Sequence, residues 1–242
     1  MLTINRTTNS LRGFSLLEMA IVLVIVSALL GGLLISLSAT QEMNNRNATE
    51  ARLQEIVDSL YGFAQATGRL PCPATAASAG AEAPAGGGAC TRAHGFVPAV
   101  TLGISGPVND DGLLLDEWLN PYRYSVSTAN ANAFTTSNGM RAMGMAALNP
   151  NLRVCAQAAC SDVIASSVPV VVLSMGADWA DFTAADVDAT ENSGEATVAG
   201  YRMANDNDFV STGYIEDVFD DQLVWISANI LFTRMISAGQ LP

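Results

Sequence analysis

Residues 12–37 read Arg-Gly-Phe-Ser-Leu-Leu-Glu-Met-Ala-Ile-Val-Leu-Val-Ile-Val-Ser-Ala-Leu-Leu-Gly-Gly-Leu-Leu-Ile-Ser-Leu, and Glu18 is the only charge after Arg12. From Phe14 to Leu37 the run holds 15 residues of the Phe, Leu, Ile and Val type. At about −0.3 to −0.6 kcal/mol each, these outweigh one carboxylate at a cost of roughly 3 kcal/mol, so the run is expected to enter a bilayer. Its 24 residues, at ~1.5 Å each, match a hydrocarbon core of ~30 Å. Upstream, Met1 to Gly13 carries Arg6 and Arg12 and no acid, which orients this end toward the cytoplasm. An ordinary secretory signal has an apolar region of only about 7–15 residues. A plain uncleaved anchor fits the length, but neither reading accounts for an acid in the second turn.

The hexapeptide Gly13-Phe14-Ser15-Leu16-Leu17-Glu18, continued by Met-Ala-Ile-Val-Leu-Val, resembles the class III signal of type IV pilins and type II secretion pseudopilins. That resemblance implies cleavage after Gly13 by a prepilin peptidase, methylation of the new amine on Phe14, and a Glu18 carboxylate that neutralises the amine of a neighbouring subunit during assembly. The physics agrees, because a carboxylate alone in hydrocarbon is costly and pairing relieves the cost. The bland alternative has Glu18 reaching the headgroups from the second turn. Many major type IV pilins carry a proline about two-thirds along this helix; here the stretch is Gly31-Gly32-Leu33-Leu34-Ile35. The glycine pair is either a weak point, at ~1 kcal/mol per residue relative to alanine, or a close-packing surface.

Past the apolar run, Ala39 to Gly68 contains no proline and one interior glycine, Gly62. Leu53, Ile56, Val57, Leu60, Phe63 and Ala64 recur at helical spacing, and Glu42, Arg46, Glu50, Arg52, Glu55 and Asp58 occupy the other face. This predicts an amphipathic continuation that packs its stripe on a sheet. Gly68, followed by Pro71 and Pro73, closes it.

The expected fold class is α+β and pilin-like, a long N-terminal helix packed on an antiparallel sheet. The expected organisation is a leader over 1–13, a transmembrane and assembly helix over 14–38, its amphipathic continuation over 39–68, and a globular periplasmic head over 69–242. Residues 74–90 are Gly- and Ala-rich, a loop outside the core. Trp118-Leu119-Asn120-Pro121-Tyr122-Arg123-Tyr124-Ser125-Val126 reads as a turn and an alternating strand. It is similar to the Asp-x-Trp-Gly-Asn-Pro-Tyr-x-Tyr element of type II pseudopilins, with Leu119 where they have Gly. Residues 151–156, 168–174 and 220–227 are further strand candidates, and Asn229 to Ser237 a helix ending at Gly239.

The four cysteines form two sequence-local pairs, Cys72 with Cys90 and Cys155 with Cys160. In an exported chain these read as two disulfides. Free thiols are the alternative; zinc is disfavoured because neither pair has CxxC spacing and His94 is the single histidine.

Ser174-Met175-Gly176-Ala177-Asp178 resembles the Ser-x-Gly-Ala-Asp-Gly of major pseudopilins, whose following acidic loop holds a calcium ion. Asp178, Asp206 and Asp208 are the candidate ligands here. Trp179 stands where the family has Gly, and a long insertion separates the acids, so a solvated acidic loop is the competing reading. Asp217, Asp220 and Asp221 read as a solvated turn, with a second cation site as the alternative. No GxSxG, P-loop or GxGxxG is present, which speaks against an enzyme.

With 11 basic residues against 23 acidic ones and a net charge of −12, the chain repels phosphate backbones, and nucleic acid is an unfavoured partner. The resemblance implies a structural subunit, a minor pilin or pseudopilin, with these partners: prepilin peptidase, other pilins or pseudopilins, the inner-membrane platform protein and, before assembly, membrane lipid. It places the chain in the bacterial inner membrane with its head in the periplasm, then in a surface pilus or periplasmic pseudopilus. A tip-displayed adhesive or ligand-binding module, using loop 74–90 and the acidic loop, is the alternative. All 11 basic residues are arginine; with no lysine, a chain cleaved after Gly13 would carry a single amine.

Overall fold

The structure, a computed structural model, describes residues 15–177, 179, 187–194, 196–215 and 218–242, with side chains 30–38 and 196 outside the description. The leader over 1–13 therefore lies outside the described residues, as do Gly13, Phe14 and Asp178. Two compact units are present, Met1–Asn44 and Asn45–Pro242, and helix α1 (Leu16–Thr67) contributes residues to both.

In the first unit, every described side chain from 15 to 29 is exposed, including Leu16 at 93% and Leu17 at 71%. Among the described residues no helix is long and apolar enough to cross a membrane. The span expected over 14–38 is thus not found among them, and much of that run falls outside the described side chains.

In the second unit the sequence pattern becomes a core. Leu53, Ile56, Val57, Leu60 and Ala64 are buried along one face of α1. Tyr61 is buried as well, whereas Phe63 is half-exposed and carries the Arg69 guanidinium 5.0 Å from its ring centre. Gly68 closes α1 in a left-handed conformation with φ of 75°, as the sequence requires of a helix terminator. The Gln240 side chain then donates to the carbonyl of Gln65 at 3.0 Å, covering the helix end.

This helix packs on an antiparallel sheet in the order β1-β2-β5-β9, formed by β1 (His94–Phe96), β2 (Arg123–Val126), β5 (Val170–Ser174) and β9 (Gln222–Ile226). Between β2 and β9, the interior strand β5 is buried at all five positions. It accordingly reads as a continuous apolar run, the pattern of a strand covered on both faces. Tyr122, Tyr124, Val126, Val170 and Val172 join the α1 core, together with Leu231 and Met235 of helix α6 (Ala228–Ser237).

Alternate residues Val171 and Leu173 face a second layer, with Leu223 and Trp225 packed against it. That layer is a three-stranded sheet in the order β4-β3-β8, with β3 (Leu152–Cys155), β4 (Val163–Val168) and β8 (Asp208–Val210). β3 and β8 run parallel, so the expected antiparallel sheet is only one of the layers. Of the strand expected over 168–174, residues 170–174 form β5, while Val168 is the last residue of β4 in the other sheet. Proline lacks an N–H for a ladder, and Pro169 marks the break. The hairpin β6 (Ala196–Val198) and β7 (Tyr201–Met203) is a separate two-stranded sheet whose Val198, Tyr201 and Met203 pack with Phe96 and Leu113, and the helix α5 (Val187–Ser193) lies against β8. One-turn segments α2 (Ala99–Leu102), α3 (Ala129–Asn132) and α4 (Gly139–Met143) lie in the connections.

Both cysteine pairs are disulfide-bonded, Cys72 to Cys90 and Cys155 to Cys160, with Cα atoms 5.3 and 5.1 Å apart. The loop at 74–90 is more deeply seated than expected. Ala74 is fully buried and Glu82 is 8% exposed. Glu82 makes a bidentate ion pair with Arg69 at 2.6 and 2.7 Å and also accepts from the backbone N–H groups of Cys72 and Gly86. Burial pushes the Glu82 carboxyl upward, but these hydrogen bonds prevail and hold it below its ordinary value.

Candidate functional site

The N-terminal turn of α1 is the first candidate. Ser15 Oγ accepts the backbone N–H of Glu18 at 3.1 Å, which makes Ser15 the N-cap and Glu18 the third helical residue. Ser-x-x-Glu is the capping-box pattern, readable in the sequence, though nothing in the apolar run itself draws attention to Ser15. The cap satisfies an N–H that has no partner within the helix, and the acid sits at the positive end of the helix dipole. Farther along, Ser27 donates to the carbonyl of Leu23 at 2.7 Å, so this hydroxyl needs no external acceptor. What remains outward from 15 to 29 is an apolar surface with one carboxylate, and Glu18 makes no ion pair among the described residues.

The turn before β2 is organised by Asp116, which is 3% exposed. Its Oδ1 accepts the N–H groups of Trp118 and Asn120 at 3.0 and 2.8 Å, and its Oδ2 accepts Ser174 Oγ at 2.5 Å. Asn120 Nδ2 reaches the carbonyl of Gly176 at 2.6 Å, tying the turn to the end of β5. Burial raises the Asp116 carboxyl to about 6, against the lowering effect of these hydrogen bonds. At the position where pseudopilins have Gly, Leu119 keeps the turn by adopting φ of 67° with its side chain 71% exposed.

Of the proposed calcium ligands, Asp206 and Asp208 lie together and Asp178 is outside the described residues. Asp206 Oδ1 accepts the N–H of Asp208 at 2.9 Å. Asp208 is held by Arg153 through two hydrogen bonds, one of 2.7 Å to Nε and one to Nη2. Glu191 stands near them, its carboxyl raised first by burial and then by Asp206, Asp208 and Asp188. Asp208 also lies close to Cys155 and Cys160, but those sulfurs are bonded to each other and offer no thiolate. Asp220 and Asp221 are not a solvated turn: they are 7% and 5% exposed. Asp220 Oδ2 accepts the N–H of Ala177, and Asp221 Oδ2 accepts Asn192 Nδ2 at 2.8 Å. Asp217 lies outside the described residues.

His94 Nδ1 lies 3.0 Å from Ser125 Oγ, a pairing that no local motif foreshadows. Burial lowers the imidazole's pKa. The adjoining cavity has a volume of about 10 Å³, room for one water-sized particle and too little for an acyl substrate.

Residues 9–34 match the family model of the prokaryotic N-terminal methylation motif. No curated protein and no solved structure matches the chain. Residues 9–34 thus carry a prepilin-type N-terminal methylation motif, the class III signal that the hexapeptide from Gly13 to Glu18 resembles.

Proposed function

We propose that this chain is a structural subunit, a minor pilin or pseudopilin, of a type IV pilus-like filament. In this reading prepilin peptidase cleaves after Gly13, Phe14 is methylated, and the subunit waits in the inner membrane with its head in the periplasm. A platform protein then feeds it into the filament. The observation that carries the reading is the capped helix start inside the matched motif: from 15 to 29 an exposed apolar surface bears one charge, Glu18. Such a surface has no apolar environment of its own and is stable in lipid or against other helices. Glu18 then pairs with the methylated amine of a neighbour, since leaving it alone in that environment is costly.

The tip-displayed reading has less support, because Glu82 and Arg69 pin loop 74–90 onto the head and reduce the surface it can offer.

The test uses the lysine-free composition. Amine-directed labelling of the purified mature chain, followed by mass measurement, should find one amine, on an already methylated Phe14. A mature N-terminus at Met1 or after Ser38 would refute the reading.

A further inference from the structure

Arg123 is the second residue of the pseudopilin-like Tyr-x-Tyr strand start, and on a sheet with one wet face it would point to water. It is instead 5% exposed, because the face of β2 that carries Arg123 and Ser125 is covered by the second layer. Its contacts there are poor for a cation. Nε donates to Met175 Sδ at 3.4 Å and Nη1 to Met203 Sδ at 3.8 Å, and thioethers are weak acceptors. The rings of Phe96 and Tyr201 lie 4.7 and 5.5 Å from the guanidinium and supply cation–π attraction without a counter-charge. No described carboxylate bonds to it. Asp116 acts on it only through space, its own oxygens being occupied by Trp118, Asn120 and Ser174.

The cavity of about 10 Å³ beside this group is lined by Arg123 and Arg202, with His94, Ser125 and Asn192. In a chain whose acids outnumber its arginines by 23 to 11, Arg123 stands at an internal space whose described lining holds no acid. A buried charge that lacks a partner is strongly unfavourable. Water would fill the volume but carries no charge to offset the guanidinium.

We infer that this cavity is a binding site for a single monatomic anion of the halide class, held by Arg123 between the two sheets. Size selects the class: a space for one water-sized particle excludes phosphate and sulfate, while the flexible side chain of Met203, which lines it, can yield by the small extra radius of a halide. The ion is a structural counter-charge that locks the second layer onto β2. Its presence is independent of the filament reading.

The test uses the full chain in detergent with bromide as the sole halide. Crystals measured at the bromine absorption edge should show an anomalous peak within hydrogen-bonding reach of the Arg123 guanidinium. In solution, replacing gluconate by chloride at constant ionic strength should raise Tm by mass action, and Arg123→Gln should abolish that dependence. Bromide found only at surface arginines, with water or no density in the cavity, overturns the inference. So does equal chloride dependence in the wild type and Arg123→Gln. The crystallographic measurement needs no variant and stands even if Arg123→Gln fails to fold.

Discussion

Helix α1 treats its apolar residues in two opposite ways. From 53 to 64 all but the half-exposed Phe63 form one stripe buried on the sheet of the same chain, and Ile56 and Leu60 have no exposed surface at all. From 15 to 29 they surround the helix, and every one is exposed. The difference separates two kinds of stability. A one-sided stripe contributes to the fold of its own chain, while an all-round apolar surface contributes only once lipid or neighbouring helices surround it. The two segments should therefore answer to different measurements.

The sharpest break in the comparison is expected at Glu18. Glu18→Ala should leave denaturant unfolding of the head and leader removal unchanged while filament incorporation falls to background, read by immunoblot of sheared filaments. Normal incorporation would show that Glu18 is not a pairing residue.

Next in size is the contrast between equivalent truncations. Ile56→Ala should cost about 3 kcal/mol of head stability by loss of burial and creation of a cavity, whereas Ile25→Ala should change it by less than about 0.5 kcal/mol. Equal losses in chemical denaturation would erase the distinction between the segments.

Asp116 offers a pH-dependent test confined to the head. Its pKa is about 6 in the folded chain against an ordinary 3.8, so the folded state binds this proton more tightly. The resulting stabilisation is fully present below about pH 4 and is lost as pH rises through about 6, an effect on the order of 3 kcal/mol. Asp116→Asn keeps the acceptor for Trp118 and Asn120 and should flatten the stability profile in that window. A profile with the wild-type slope would mean that another group is responsible.

The smallest effect is expected at Leu119, whose left-handed backbone costs an L-residue about 1–2 kcal/mol. Leu119→Gly, at an exposed position, should raise head stability by about 1 kcal/mol after the entropic cost of glycine. A lower Tm would show that the leucine makes a contact of value.

Much of this architecture was legible from the residues. Gly68 marked the end of α1 because its successors could not continue a helix, and the local cysteine pairs announced their bridges. The strands at 123–126, 152–155 and 222–226 carried enough β-branched and aromatic residues to be seen. What stayed hidden depended on partners distant in sequence. β1 and β8 have three residues each, too few to show a period, and the parallel pairing of β3 with β8 leaves no local mark. Alternation in Tyr122-Arg123-Tyr124-Ser125 sends Arg123 and Ser125 to water, and only the second layer reverses that. Asp220 and Asp221 look like turn residues until Ala177 and Asn192 arrive to receive them. For the N-terminal site, Gly13, Phe14 and Glu18 were apparent as a motif, whereas the cap from Ser15 needed the helix start to be located.

The contact between Gln240 and the end of α1 joins residues 175 positions apart, and Leu241 is buried with the α1 core. Contacts so distant along the chain make for slow folding, because a large loop must close before they form. The helix that begins the head therefore has to keep its stripe unsatisfied until the last strand and α6 have been synthesised. A chain that stops short of them leaves Leu53 to Ala64 uncovered, giving chaperones and proteases a direct means of telling a finished subunit from an unfinished one.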